Sequence, residues 1–215
     1  MKHLAIIVDG NRRWAKSKGL ASVLGYDQGA LVIEQCCEWC IENSLDFLTI
    51  YCFSTENWAR PAHEIKYLIS LGMRYFEKRN KWYIDNGIKV KFSGRRDRFD
   101  MNVLMRIEEI ENSTKNGEKM TLVVCLDYGG KDEIVRAIQA GAKTEQEINK
   151  WMNSIAPDPD AIFRTGGDKR LSNFLLWQSA YAELFFSDIF FPDLSKQELD
   201  LILQEYKKRK RTYGK

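Results

Sequence analysis

No stretch of this sequence is apolar for long enough to cross a bilayer. The first apolar run, Leu4 to Val8, is closed by Asp9, too soon for the core of a secretory signal, and no later segment approaches about 18 uncharged apolar residues. A cytoplasmic protein is therefore expected, with membrane contact no closer than peripheral. Linkers rich in Pro, Ser or Gly, internal repeats and low-complexity segments are also missing, so the 215 residues are expected to form one domain over 1–215. Neither a Walker A loop nor G-x-G-x-x-G occurs, which argues against a P-loop nucleotide enzyme and a dinucleotide-binding dehydrogenase. The charges nearly cancel: a formal net charge of +3 is too small to indicate a nucleic-acid partner. The run "KKRKR" at 207–211 reads as the solvated end of a helix, where cations suit the dipole. Five cysteines, an odd number, exclude a fully paired intramolecular framework. No second pair at zinc-site spacing accompanies Cys36, Cys37 and Cys40, which fall with Ile33 and Ile41 on one helical face and read as small apolar core residues.

What is present is an alternation. Strand-like runs rich in β-branched and aromatic residues lie near 3–8, 47–53, 88–93, 120–126, 160–163 and 184–186. Helical patterns are read at 29–42, 101–114, 131–140, 145–152, 173–181 and 196–209. The longest follows "RPAHE", where Ile65, Leu68, Ile69, Met73 and Phe76 recur at three- and four-residue spacing. Alternating strands and helices imply an α/β protein with a mainly parallel six-stranded sheet flanked by helices, because parallel strands need crossovers.

Ligands of such sheets gather beyond the C-terminal ends of the strands. Three polar segments are expected there: "DGNRR" after the first strand, "STENWAR" (54–60) after the second, and "RTGGDKRLSN" (164–173) after the fifth. They bring Arg12, Arg13, Arg60, Arg164 and Arg170, the hydroxyls of Ser54, Thr165 and Ser172, and glycine backbone at Gly10, Gly166 and Gly167 to one rim. A helix opening near Ser172 is expected to add its dipole. Guanidinium groups bind phosphate by charge-assisted bonds worth about 1.5–3 kcal/mol each, and several on one rim repel one another without an anion. The pattern points to a diphosphate. An octahedral Mg2+ site takes one or two carboxylates and leaves the rest to phosphate and water. Asp9 is the candidate first ligand and Glu183 in "AYAEL" the second. Taken alone, each reads more simply as a structural residue, Asp9 in an Asp-Gly turn.

In order and spacing, "HLAIIVDGNRRWA", "GYDQG", "LTIYCFSTENWARP", "DYGG" and "FRTGGDKRLSNFLLWQSAYAELFF" resemble the signature segments of the cis-prenyltransferases, the undecaprenyl diphosphate synthase family. The resemblance runs from His3 to about Leu194, and "KRTYGK" at the end is similar to the family's C-terminal segment. It implies condensation of isopentenyl diphosphate with an allylic diphosphate such as farnesyl diphosphate. Repeated cycles would give a cis-polyprenyl diphosphate such as undecaprenyl diphosphate for cell-wall carrier lipid. By position it makes Asp9 the Mg2+-holding carboxylate that assists departure of diphosphate, and Glu183 a second ligand. Gly10, Asn11, Arg12, Arg13 and Trp14 correspond to the allylic diphosphate loop, with Ser22 and Tyr26 nearby. Ser54, Thr55, Glu56, Trp58 and Arg60 fall in the segment joining the two substrates, Trp58 serving equally well as a core anchor. Asn57 takes the place usually given to a proton acceptor; an amide is a poor base and is better read as an orienting hydrogen-bond partner. Arg164, Arg170, Leu171 and Ser172 correspond to the isopentenyl diphosphate site. A homodimer is implied, with 207–215 at its interface.

The hydrocarbon requires a tunnel of its own, for which the apolar faces at 29–42 and 65–76 and the surroundings of Cys52 are candidates. A lengthening product binds more tightly, so its release is expected to be slow and to be helped by transient contact with a membrane surface. Departures from the family pattern cluster at the allylic site. Tyr26 stands for the histidine of Gly-His-x-x-Gly and Ser22 for an arginine. Elsewhere Asp168 replaces glutamate, Lys169 a histidine, Asp127 an asparagine and Thr212 an arginine, and the stretch 139–159 is short. Two rival readings remain: a non-catalytic partner subunit, which is expected to lack the acid or the arginines kept here, and a basic nucleic-acid module built on "KKRKR" and the tryptophans.

Overall fold

The computed structural model describes residues 1–209; the end of the basic run, Thr212 and the rest of 210–215 lie outside the described residues. Six strands form one sheet: β1 (His3–Ile7), β2 (Phe47–Ser54), β3 (Ile88–Ser93), β4 (Met120–Tyr128), β5 (Ala161–Arg164) and β6 (Glu183–Phe186). Their order across the sheet is β3-β4-β2-β1-β5-β6, and every neighbouring pair is parallel. The centre of the sheet is covered on both faces, which is why β1 reads as an unbroken apolar run with all five residues buried. At one edge, β3 alternates buried and half-buried residues in "IKVKFS", the period of a strand with one face packed.

Among the described residues six helices lie between the strands, α1 (Asn11–Ser17), α2 (Ser22–Glu42), α3 (Ala62–Asp85), α4 (Met101–Ser113), α5 (Gly130–Gln139) and α6 (Glu145–Met152), and α7 (Lys196–Lys208) follows the last strand. Short 3₁₀ turns occupy Thr55–Ala59 and Phe191–Asp193. Side-chain caps start several of them. Asp100 accepts from the Val103 N–H, and Thr144 and Glu147 form a reciprocal capping box. Alternate strand residues build two cores. Leu4, Ile6, Leu48 and Ile50 pack with Cys36, Cys37 and Cys40 of α2, Met73 and Phe76 of α3, Ile107 of α4 and Leu199 of α7. On the opposite face Ala5, Ile7, Tyr51 and Ile162 pack on Phe174 and Leu175. The cysteines of α2 are thus core residues, as their spacing indicates.

Three helical expectations change. The pattern read from residue 29 begins at Ser22, so "GYDQG" is helical, and α1 was not anticipated. The helix expected over 173–181 is a series of turns. Ser172, Asn173 and Leu175 have φ of 50°, 64° and 43°, left-handed backbone that an α-helix cannot contain. The segment still covers the sheet by packing, Phe174 stacking on Tyr51 with ring centroids 4.5 Å apart. With that helix goes the dipole expected near Ser172.

His3 is buried between the Pro157 carbonyl, 2.7 Å from Nδ1, and the Thr49 hydroxyl, 2.7 Å from Nε2. Burial lowers its pKa to about 4 from the ordinary 6.5, against the opposing pull of the Pro157 carbonyl. The unfolded chain therefore binds this proton more readily, so stability is full above pH 6.5 and falls as pH drops toward 4. The loss is roughly 3 kcal/mol. Urea denaturation from pH 7 to pH 4 is expected to show His3→Gln losing less stability than wild type by about that amount; parallel curves would refute it.

Candidate functional site

Strand register assembles the site. Ile7 is paired with Arg164, so the ends of β1 and β5 lie side by side. Beyond Ile7 the chain turns sharply. Asp9 N–H donates to the Thr165 hydroxyl at 3.0 Å, and that hydroxyl donates to the Asp9 carbonyl at 2.8 Å. Gly10 follows with φ 99°, and a Cβ there would sit 2.6 Å from Phe190 Cδ1, so only glycine fits. Its N–H donates to Asp9 Oδ1 at 2.6 Å.

Two charged groups face the rim. In the first, Asp9 Oδ2 accepts from Arg164 Nη2 at 2.8 Å while Oδ1 lies 3.1 Å from Arg13. Arg164 is almost wholly buried, and its Nη1 donates to the Arg170 carbonyl at 2.6 Å and to Ser172 Oγ at 2.7 Å. Asp168 joins the same group, accepting two bonds from Arg170 at 2.9 and 3.0 Å and lying 3.6 Å from Arg13 and 3.5 Å from Arg164. Three guanidiniums thus meet two carboxylates. Burial pushes the Asp9 pKa up, but the Arg164 and Gly10 bonds and the Arg13 charge outweigh it and hold the carboxyl below its ordinary 3.8. In the second group Arg60 donates to Glu64 at 2.9 Å and to the Tyr26 hydroxyl at 3.0 Å, with Arg12 3.6 Å from the same Glu64 oxygen. Burial raises the Tyr26 pKa despite Arg60, so its hydroxyl stays protonated.

Both groups open on one cavity of about 920 Å³. Its mouth includes Asp9, Arg12, Arg13, Ser22, Tyr26, Arg60, Arg164 and Ser172. Its interior is apolar: Ile33 of α2, Leu68, Ile69 and Phe76 of α3, Phe92 of β3 and Val124 of β4. Cys52 also lines it, and desolvation pushes its thiol up to about 12. Asn57 reaches the cavity as well, with its Oδ1 accepting from Ser54 N–H at 3.0 Å. That bond is part of a reciprocal cap with Ser54 at the start of the 3₁₀ turn, which fixes the amide at the cavity wall.

Several expected residues stand elsewhere. Glu183 opens β6 in register with Ala161, three residues and about 10 Å along the strands from the end that carries Arg164. It begins its strand, whereas Asp9 follows the C-terminal end of β1, two strands away in a parallel sheet, and the Glu183 carboxylate accepts from Arg209 at 2.7 Å. One chain does not bring Asp9 and Glu183 to a common ion. Trp14 points to Asp193, its Nε1 donating to Oδ1 at 2.7 Å. Trp58 packs edge-on to Phe53 and tilted against Phe99, behind the cavity wall, as a core anchor. Leu171 packs into the second core. Thr55 and Glu56 brace the rim: Asn173 donates to Glu56 Oε1 at 2.7 Å, and Thr55 to its Oε2 at 3.2 Å. Two carboxylates were not singled out as site residues, Asp168 and Glu64. The four-residue spacing of Arg60 and Glu64 was the available signal for the latter.

The comparisons agree with this geometry. Residues 7–214 match the family model described as "Putative undecaprenyl diphosphate synthase". An isoprenyl transferase of Wolinella succinogenes is 43% identical over 220 residues, covering 100% of this chain and 96% of the relative. That of Aquifex aeolicus is 41% identical over 221 residues, with the same coverage. Among solved structures, a probable undecaprenyl diphosphate synthase from Campylobacter jejuni superposes with a TM-score of 0.86 at 33% identity, covering 100% of this chain and 99% of that one. Lavandulyl diphosphate synthase from Lavandula x intermedia, solved with dimethylallyl diphosphate, gives 0.95 at 27% identity, covering 100% and 98%.

The rim depends on close approach of α1 to α2. A Cβ at Gly25 would lie 2.0 Å from the Asn11 carbonyl oxygen, and one at Gly29 would lie 2.3 Å from Asn11 Oδ1. Gly25→Ala is expected to destabilise by about 1–3 kcal/mol as the helix is forced off the rim. Gly72→Ala, where a Cβ meets nothing within 4 Å, should be neutral or mildly stabilising. Urea denaturation of both variants decides it, and equal midpoints would refute the contact.

Proposed function

Because the chain belongs to the undecaprenyl diphosphate synthase family, we propose that it is a cis-prenyltransferase that extends an allylic diphosphate with isopentenyl diphosphate. The observation that carries this reading is one cavity with an apolar interior whose mouth holds two arginine groups, each with one cation more than its carboxylates. Two diphosphates and one hydrocarbon chain are what such a mouth and interior suit. The Lavandula relative, solved with an allylic diphosphate, supports that ligand class.

In the reaction the allylic C–O bond breaks as diphosphate leaves, a C–C bond forms to the terminal alkene carbon of isopentenyl diphosphate, and a proton is lost to leave a cis double bond. Arg13, Arg164 and Arg170 are placed to clamp one diphosphate, and Arg12 and Arg60 the other, by charge-assisted bonds aimed before substrate arrives. Ser172 and the Asn57 amide add neutral donors. Asp9 suits a divalent ion, Mg2+ by its preference for carboxylate and phosphate oxygens, because its carboxylate faces the cavity and stays ionised at neutral pH. Such an ion supplies Lewis acidity to the leaving diphosphate. An amide is a poor base, so the released proton passes to phosphate or water rather than to Asn57. The apolar interior takes the tail: at roughly 0.8 kcal/mol per buried CH₂, a fifteen-carbon farnesyl chain contributes more than any one arginine. The same reading includes farnesyl diphosphate as starter and a medium-length product such as undecaprenyl diphosphate for cell-wall carrier lipid. It also includes a cytoplasmic homodimer with transient membrane-surface contact at product release. Among the described residues no helix is long and apolar enough to cross a membrane.

The test is incubation with farnesyl diphosphate and radiolabelled isopentenyl diphosphate, with and without Mg2+, resolving products by length. A Mg2+-dependent ladder ending at one dominant length is expected, and Asp9→Ala should lower turnover about 10²–10⁴-fold. No incorporation by folded protein in detergent would refute the reading.

A further inference from the structure

A second buried acid lies behind the mouth, and no step described above uses it. Asp127 is near the end of β4 and wholly buried. Phe53 pairs with Leu126 and Ser54 with Tyr128, so Asp127 is an extra residue with no partner on β2. Its φ of 49° is left-handed backbone, which Asp tolerates better than most residues. Such a bulge re-aims a side chain, and here the carboxyl is brought against Trp58. Asp127 Oδ2 and Trp58 Nε1 are both buried without a hydrogen-bond partner, one an acceptor and the other a donor. Burial raises the Asp127 pKa, and of the groups that pull against it the Trp58 indole is the strongest, ahead of Arg98 and Arg95. Arg98 closes the arrangement, its guanidinium 5.9 Å from the centre of the Trp58 ring and its Nη1 3.5 Å from Asp127 Oδ1. The backbone of the same loop is docked on Asp127, with Arg95 N–H donating to its carbonyl at 3.0 Å.

Trp58 belongs to the 3₁₀ turn Thr55–Ala59, none of whose residues is buried. Burial alone does not hold such a turn, so directed contacts have to. Asn57 precedes Trp58 and Arg60 follows it by two residues; both line the cavity, whereas Trp58 and Asp127 do not. We propose that Asp127 is a positioning residue for the reaction: by fixing the Trp58 indole from behind, it sets where Asn57 and Arg60 stand at the mouth. This inference rests on the chain-elongation reading above and adds to it a residue remote from both substrates. The pull of a buried carboxylate on a buried N–H is strong because little water screens it. In a turn of five residues a displaced Trp58 carries its neighbours with it, and a shift of about 1 Å in a substrate-positioning group can cost about 10²-fold in rate.

The experiment measures kcat and a separate KM for each diphosphate in Asp127→Gly, Asp127→Asn, Trp58→Phe and the double variant Asp127→Gly/Trp58→Phe. Glycine takes the left-handed backbone freely and removes only the carboxyl. Asparagine keeps an oxygen for the indole N–H, and phenylalanine keeps a ring but loses that N–H. Asp127→Gly is expected to raise KM about tenfold for the diphosphate whose KM also rises in Arg60→Lys, and to leave the other KM within about twofold of wild type. Asp127→Asn should match wild type for both. The double variant should be no worse than the poorer single variant, because both changes remove one interaction. Should Asp127→Gly fail to fold by circular dichroism, Trp58→Phe carries the same selective rise. Three results in folded, active variants overturn the inference and leave the enzymatic reading standing: unchanged KM values, equal rises for both substrates, or effects that multiply in the double variant. A wild type without condensation activity overturns both.

Discussion

The buried Arg164 guanidinium bonded to Asp9 is the contact on which the rim depends. Its position at the end of β5, opposite Ile7, is set by strand pairing rather than by any loop. From there it bonds to the carboxylate that follows β1 and to the carbonyl and hydroxyl of the loop that follows β5 itself. A buried cation is costly unless paired and hydrogen-bonded, and here both Nη groups are bonded while the buried Nε has no partner. The fold therefore cannot place Arg164 without also placing Asp9, Arg170 and Ser172. Preorganisation of the anion site is a consequence of core packing, and the reorganisation a flexible site would need on binding is avoided.

The remaining charges are arranged around that pair. Asp168 spreads its two oxygens among Arg13, Arg164 and Arg170, and Glu64 does the same for Arg12 and Arg60. Each carboxylate keeps its arginines close without an anion present, yet leaves a surplus of positive charge. Behind this polar rim the cavity changes to hydrocarbon-like walls supplied by α2, α3, β3 and β4.

Much of this was legible beforehand. All six strands were found close to their observed limits because β-branched and aromatic runs punctuated by polar loops are a strong local signal. Their parallel arrangement followed from the intervening helices. The expected helix over 173–181 failed because "NFLLWQSAY" has helical spacing, while left-handed backbone at Ser172, Asn173 and Leu175 follows from tertiary packing against Tyr51. The family resemblance pairs Glu183 with Asp9 as metal ligands through the arginine-rich segment that Glu183 closes. Proximity to a motif says nothing of which end of a strand a residue occupies, and in a parallel sheet the two ends are on opposite sides of the molecule. Trp14 and Trp58 are large, partly polar rings that suit a ligand or a core equally well, and only their surroundings separate the two.

The sequence by itself determined the class of fold, the crowding of arginines, glycines and one acid beyond the strand ends, and the family. These are properties of local periodicity and residue chemistry, which survive without knowledge of distance. Only the tertiary structure decided which acid holds which arginine, that Asn57 accepts from the Ser54 backbone, and that Glu183 is remote from Asp9. Each of those depends on register and side-chain direction between segments far apart in the chain. A one-dimensional pattern does not carry that information, because ion pairing and burial are set by separation in space.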